Sequence, residues 1–299
     1  MLIIFFGCEF EMSTAPDFTN GRNILQYDDL RITESMIREY KDAGMPWFYP
    51  CYVWPERDPK NVPLVEYPAG IFYNPVTIAE TAFAYNSEFL REGNKDFQQA
   101  FLNNADWLVN NHDDTFYYRY NFPFTHSGGD EMPAGWVSGM AQGMALAVVS
   151  MAFNMTGDST YLKTAENIFK TFVTYSNDSW TFYVDRDGHY WIEEYPNPDH
   201  CHVLNGKLFA MWGIWNYYVV SCSDRALLIL KACIRSVADK YSLWKVPGQT
   251  MSYYCLHGCI TEIYHPIHLQ QLQHFADFFD LPEFRQAVDC YSGKIICDQ

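Results

Sequence analysis

Two carboxylates and a phenol stand side by side at Glu193, Glu194 and Tyr195, directly ahead of a Pro-broken loop, Pro196-Asn197-Pro198. A second cluster follows further along: Tyr253, Tyr254 and His257, then Tyr264, His265 and His268. Carboxylates and tyrosines gathered on loops fit proton transfer at carbon or oxygen. A carboxylate ionised at neutral pH can take a proton, and a phenol with an ordinary pKa near about 10 can give one. Neighbours on an extended segment point to opposite faces, so at most one of Glu193 and Glu194 is expected to meet a substrate.

Composition bounds what could hold these groups. The chain has 299 residues, 48% hydrophobic and 19% charged, which describes a globular protein of one or two domains. Aromatic residues make up 18%; rings in such surplus either fill a core or stack on the C–H faces of sugars. A net charge of −16 with no dense Lys/Arg run argues against nucleic acid or an anionic membrane surface as partner. No apolar segment reaches membrane-spanning length, so membrane insertion is not expected. The early Leu2–Phe6 run is too short for a signal-peptide core and lacks a basic lead, which leaves the localisation unknown.

Nine cysteines at irregular spacing do not look like a disulfide framework. Cys255-x-His257-x-Cys259 invites a metal reading, but no second ligand pair at zinc-finger spacing follows, and neither a metal nor another cofactor is expected. The sequons at Asn154 and Asn177 are permissive only.

Residues 1–70 read as an irregular, Pro-rich segment packing on the core, with one short helix at Thr33–Ala43, capped by Thr33 and stopped by Gly44. Residues 71–299 read as the catalytic domain. Apolar periodicity predicts helices near 75–91, 96–111, 136–155, 159–174, 203–220, 224–241, 266–279 and 282–292. The third and fifth are apolar on most sides, with Lys207 nearly the sole charge on the fifth, and should be buried. The even members carry charges along one side, as at Lys163, Glu166 and Lys170. An inner helix followed by an outer one, four times over, predicts a mainly α fold: an (α/α)4-type toroid or incomplete barrel. Loops are short within each pair and long between pairs. The long connections read as hairpins or loops, at Phe116–Phe124, at Trp180–Tyr195 with its Asp187-Gly188 turn, and at Thr250–Tyr264. Each long connection feeds the N-terminus of an inner helix, so the four inner-helix N-termini lie on one rim, together with Tyr73, Asn74, Trp136, Glu194, Tyr195, Tyr254 and Tyr264. Four inner-helix N-termini aimed at one bowl favour an anion such as a sugar carboxylate.

Five segments carry a family resemblance: Tyr73-Asn74-Pro75-Val76, Trp136 to Gly143, Glu193-Glu194-Tyr195-Pro196, Val203-Leu204-Asn205-Gly206, and Tyr264-His265-x-x-His268-x-x-Gln271-Leu272. Together they resemble the C-terminal helical domain of the D-glucuronyl C5-epimerase family over about Ile71–Val288. The resemblance implies an isomerase that converts D-glucuronic to L-iduronic acid units in heparosan- or heparan-sulfate-type polysaccharides. It puts proton transfer on Glu194 and Tyr264, with Tyr195 and Tyr254 beside them, and needs no cofactor. Tyr254-Cys255-Leu256-His257 stands where the family has Tyr-Asp-Leu-Arg, so His257 replaces its arginine. The further substrate-binding candidates are Tyr73, Asn74, Trp136, Gln142, Asn205, His257, His265 and His268. The implied partner is a uronic-acid-containing polysaccharide. The resemblance leads one to expect the family's β-rich N-terminal domains, which help hold the polymer and build dimers, to be absent or cut to Met1–Ala69; a homodimer stays open. Family members act mostly on secreted or Golgi polysaccharides.

Structural roles compete at several positions. Tyr253 suits a core, His265 and His268 could cap backbone groups at a helix start, Asn205 could bond a helix start, and Gln142 on a buried helix needs a partner in any case. Rival functions are a uronate lyase, an α/α-toroid glycoside hydrolase pairing Glu194 with Asp130, Glu131 or Glu262, and a non-catalytic sugar-binding relic.

Overall fold

A computed structural model describes residues 22–43, 56–126, 129, 131–175, 179–260 and 262–297. Its helices pair as the periodicity requires. After a short α1 (Glu34–Ala43), the inner helices are α2 (Pro75–Glu92), α4 (Gly139–Thr156), α6 (Leu204–Ser221) and α8 (Tyr264–Phe279). Each is followed by an outer helix: α3 (Lys95–Asn110), α5 (Ser159–Lys170), α7 (Asp224–Lys240) and α9 (Pro282–Tyr291). None of the described helices is long and apolar enough to cross a membrane.

Sequence sets the helix ends. Asn74 Oδ1 accepts from the Val76 and Thr77 amides, and the Ser138, Asp158 and Ser223 side chains cap α4, α5 and α7 in the same way. Gly93 and Gly157, at φ 68° and 72°, close α2 and α4 in the left-handed conformation that costs glycine nothing. Two starts differ from the sequence reading. Trp136 to Ser138 is extended, because Trp136 bridges Tyr120 and Ser138 is the cap. In α8 the helix begins two residues earlier, at Tyr264; Pro266 falls in the first turn, where a missing N–H loses no bond. Thr33 Oγ1 accepts from the Met36 amide at the start of α1; the Gly44 stop lies outside the described residues.

The apolar helices α4 and α6 are buried along almost their whole length and pack on each other. Gly143 lies against Ala210, and Gly213 against the Gly143 backbone, with no room for a Cβ at either glycine. From this central pair the inner arc extends to α2 on one side and α8 on the other, with no comparable packing joining α8 back to α2. The ring is an incomplete toroid. Tyr27, Leu30 and Tyr40 from the N-terminal segment join the same hydrophobic core.

Every inner helix is preceded by an antiparallel hairpin: β1 (Val65–Tyr67) with β2 (Gly70–Phe72), β3 (Phe124–Thr125) with β4 (Glu131–Met132), β5 (Phe182–Val184) with β6 (Tyr190–Ile192), and β7 (Tyr253–Cys255) with β8 (Cys259–Ile260). The first is a feature the sequence reading placed in an irregular segment. The stretch Phe116–Phe124 is not a hairpin by itself; its end pairs with Glu131–Met132 instead. Cys290 and Cys297 form a disulfide at the end of α9, the one bridge among the described residues, which the irregular spacing did not announce.

Candidate active site

The four inner-helix N-termini open onto one cavity of about 350 Å³, the size range of small-molecule sites. Its wall includes Asn74 and Glu80 from α2, Ser138 and Met140 at the start of α4, Asn205 and Phe209 from α6, and Tyr264 and Ile267 from α8. Glu194, Tyr195 and Trp136 enter from the connecting segments.

Glu193 and Glu194 part company as an extended backbone requires. Glu193 is fully buried and turns away from the cavity: its Oε1 lies 2.5 Å from His202 Nδ1, and its Oε2 accepts from the His202 amide at 3.2 Å. Its backbone is tied to Thr181 and to Gly139, which anchors the segment on the start of α4. Glu194 faces the cavity. The Tyr195 and Tyr254 hydroxyls lie 3.1 Å apart, and Tyr254 donates to Glu194 Oε1 at 3.1 Å. Burial pushes the Glu194 carboxyl up to about 7, against the pull of the hydrogen bonds from Tyr195 and Tyr254.

The phenols are held in their protonated form. Burial, then the Glu194 charge, pushes Tyr195 and Tyr254 well above the usual phenol range. Tyr264, packed on Tyr254 at 4.3 Å between ring centres, is raised by burial and by the charges of Glu194 and Glu80. A carboxylate that titrates near neutrality thus faces a cavity whose phenols keep their protons.

One wall is aromatic. Trp136 stacks on Tyr120 at 3.9 Å and on Phe124 at 5.4 Å, and its Nε1 donates to the Phe122 carbonyl at 3.0 Å. Tyr195 continues the wall at 5.6 Å from Phe124. Asn74 accepts from the Tyr120 hydroxyl at 3.1 Å while capping α2, so its polar edge is largely used within the protein. Asn205 differs: it is buried, lines the cavity, and its Oδ1 has no hydrogen-bond partner.

Other candidates sit outside the cavity wall. Tyr73 is 36% exposed and donates to Asp58 Oδ2 at 3.1 Å, in a separate groove beside Trp107. Gln142 is buried in the core, where it accepts from the Tyr118 amide at 3.0 Å and donates to the Phe116 carbonyl at 2.9 Å. It fastens a connecting segment to α4 and does not reach the cavity. His265 and His268 both meet Ser252 Oγ, at 3.1 and 2.8 Å. Burial, then its neighbour His265, pushes His268 down to about 3, so it stays neutral. His257 Nε2 lies 2.7 Å from the Asp199 carbonyl, and its ring stacks on His126, behind the cavity. Tyr254 backs the site without lining it. Of the hydrolase partners weighed for Glu194, Glu131 and Glu262 are exposed and off the wall, and Asp130 lies outside the described residues.

Glu80 is the residue that motif reading missed. It is the sole charge between Pro75 and Tyr85, the first half of α2, and that isolation is the signal that could have found it. Burial and then the Glu194 charge push it up to about 7. Among the described residues, no Lys, Arg or His lines the cavity. Lys207, on α6, turns the other way and donates to the Tyr190 carbonyl at 2.9 Å.

Fold and site together define an α/α toroid with an acid–phenol cleft on its hairpin rim. In architecture it is similar to D-mannose isomerase (TM-score 0.51, 12% identity, 88% of this chain and 70% of that one). A comparable likeness links it to cellobiose 2-epimerase from Bacillus thermoamylovorans (TM-score 0.51, 11% identity, 87% and 71%). In sequence, residues 112–292 match the family described as D-glucuronyl C5-epimerase C-terminus, and the chain belongs to that family. It is 36% identical over 123 residues to the D-glucuronyl C5-epimerase of Caenorhabditis elegans, a stretch that is 39% of this chain and 19% of the relative. An uncharacterised protein of Methanocaldococcus jannaschii is 28% identical over 159 residues, covering 52% of this chain and 50% of that one. The chain thus spans half or less of the curated relatives it matches. Glu80 lies ahead of the matched stretch.

Proposed function

We propose that the chain is a carbohydrate epimerase that inverts C5 of D-glucuronate units, giving L-iduronate, in a heparosan-like polysaccharide. The observation that carries this reading is that Glu194 and Tyr264 line the same cavity, with only carboxylates able to accept a proton near neutrality. Family membership supports the reaction class.

In this mechanism ionised Glu194 takes the C5 proton. The electron pair of the broken C–H bond moves into the adjoining carboxylate, giving an enolate-like intermediate. Tyr264 then delivers its hydroxyl proton to the opposite face of C5, and the new C–H bond completes the inversion. The proton gained by Glu194 and lost by Tyr264 re-equilibrates before the next turnover. Charge gathering on the substrate carboxylate needs donors placed in advance. The N-termini of α6 and α8, which carry no side-chain cap, supply them. Glu80, when it holds its proton, adds a carboxylic acid O–H, in the way a buried neutral carboxyl can serve as a donor. That role fits a cavity with no arginine among its described lining residues. Asn205 Oδ1, left without a partner, suits a sugar hydroxyl.

The presence of both Glu80 and Glu194 on one wall favours a second reading, glycoside hydrolysis, in which two carboxyls flank the scissile bond. Incubation of glucuronate–glucosamine oligosaccharides with the protein in deuterated water separates the readings. Epimerisation yields iduronate signals carrying deuterium at C5, with no new reducing ends and no ultraviolet-absorbing product. New reducing ends without C5 deuteration would replace the reading with hydrolysis, and an unsaturated product would replace it with a lyase.

A further inference from the structure

Behind the cavity, three metal-ligating side chains from two separate rim segments converge. His126 follows β3 and is buried; Cys255 ends β7 and is fully buried; His257 lies in the β7–β8 turn with a 14% exposed side chain. One donor atom from each lies within 4.8 Å of the others. The residues are 129 or more positions apart between the two segments, so no sequence spacing brings them together.

His257 is arranged as metal-bound histidines are. Its Nε2 lies 2.7 Å from the Asp199 carbonyl, which can only accept, so that nitrogen carries the proton. The Asp199 carboxylate stands 3.4 Å from the same nitrogen. This fixes the tautomer with a bare lone pair on Nδ1, and Nδ1 is buried without a hydrogen-bond partner. A ring N–H held by a carbonyl while the other nitrogen faces inward is the outer-shell pattern that orients a metal-ligating imidazole. The His126 ring lies parallel to it, 5.5 Å away. A further soft donor is at hand: Cys259 sits across the hairpin from Cys255, and the two thiols are hydrogen-bonded. Both cysteines are free of disulfides.

We propose that His126, Cys255 and His257 bind a zinc ion, with the Cys259 thiol or a water completing a tetrahedral site. Two imidazoles with one or two thiolates are a donor set for zinc, not for calcium or magnesium, which take oxygen. Donors bound at about 2.0–2.3 Å around a tetrahedral centre stand roughly 3.3–3.8 Å apart, so the cluster closes by about 1 Å on binding. The ion clasps the segment after β3 to the β7–β8 hairpin. Both carry parts of the active site: His126 stacks on Tyr195 at 4.8 Å, and Cys255 directly follows Tyr254. The zinc is therefore a rim clasp that positions the Tyr195–Tyr254–Glu194 chain, and it touches no substrate. This inference does not rest on the epimerase reading, because binding is measured without turnover.

The test uses the full chain, purified without chelator or histidine tag. Elemental analysis is expected to find about one zinc per chain. The metal-free protein titrated with Co(II) should show intense tetrahedral d–d bands and a thiolate-to-cobalt charge-transfer band. Both should be lost in Cys255→Ser and weakened at least tenfold in His126→Ala. The wild-type titration decides by itself should a variant fail to fold. Absence of bound zinc together with no cobalt–thiolate band overturns the proposal. So does a Cys255–Cys259 disulfide in the protein as purified. A cobalt signal unchanged in Cys255→Ser also overturns it, since that ion would belong to another cluster such as Asp185, Asp187 and His189.

Discussion

Glu194 rests against Gly206 in a space that admits only a hydrogen. A Cβ on Gly206 would lie 2.9 Å from Glu194 Cβ and 3.0 Å from its Cδ, and closer still to Oε2. Gly206 is in the first turn of α6, so the helix itself sets where the carboxylate can stand. Gly206→Ala should push the carboxylate aside while leaving the helix intact, since alanine is the better helix former. The expected result is a fall in kcat of about 100-fold or more, the scale of effect for a displacement near 1 Å, with a circular dichroism spectrum like that of wild type.

The pH profile follows from the same carboxylate. Glu194 acts as base only when ionised, and burial holds its pKa at about 7. The rate of C5 exchange should therefore climb with unit slope below about 7, and above it the loss of the Glu80 proton, which titrates at about the same value, should bend the profile downward. A limb centred near the ordinary glutamate value would show that Glu194 is not the titrating base.

Glu80 makes a stability prediction of opposite sense to the usual carboxylate. Its pKa is raised in the fold, from 4.5 to about 7, so the folded state binds the proton more tightly than the unfolded chain. Its favourable contribution is present below pH 4.5 and is lost as pH rises through about 7. Glu80→Gln should match wild type at pH 4.5 and exceed it at pH 8, by on the order of 1–2 kcal/mol in denaturant melts.

Gln142 should behave as a structural residue. Gln142→Leu leaves the buried Tyr118 amide and the partly buried Phe116 carbonyl without their partner. A loss of about 2–4 kcal/mol in unfolding free energy is expected, with the pH dependence of any remaining activity unchanged.

Much of this architecture was readable from residue periodicity. The apolar runs of α4 and α6 and the charged stripes of α5 and α7 report burial directly, and the alternation of the two kinds gives the toroid. The opposite facing of Glu193 and Glu194 follows from extended geometry alone. What stayed hidden depends on contacts distant in sequence. Glu80 joins Glu194 only because α2 and α6 share a rim, and it carries no motif. His126 meets Cys255 and His257 through two loops that no spacing relates. Tyr73 was misplaced for a local reason: it adjoins Asn74 at the start of α2, but successive residues of that extended entry face opposite ways, and Tyr73 turns to Asp58 and Trp107. The β1–β2 hairpin went unseen because each strand has three residues, too few for alternation to register.

The central claim is that Glu194 removes the C5 proton. It is tested most directly by nuclear magnetic resonance of glucuronate oligosaccharides in deuterated water, comparing wild type with Glu194→Gln. Deuterium should enter C5 with wild type, while the folded variant should leave the glucuronate C5 proton in place. Exchange at that position persisting at a wild-type rate in Glu194→Gln would contradict the account.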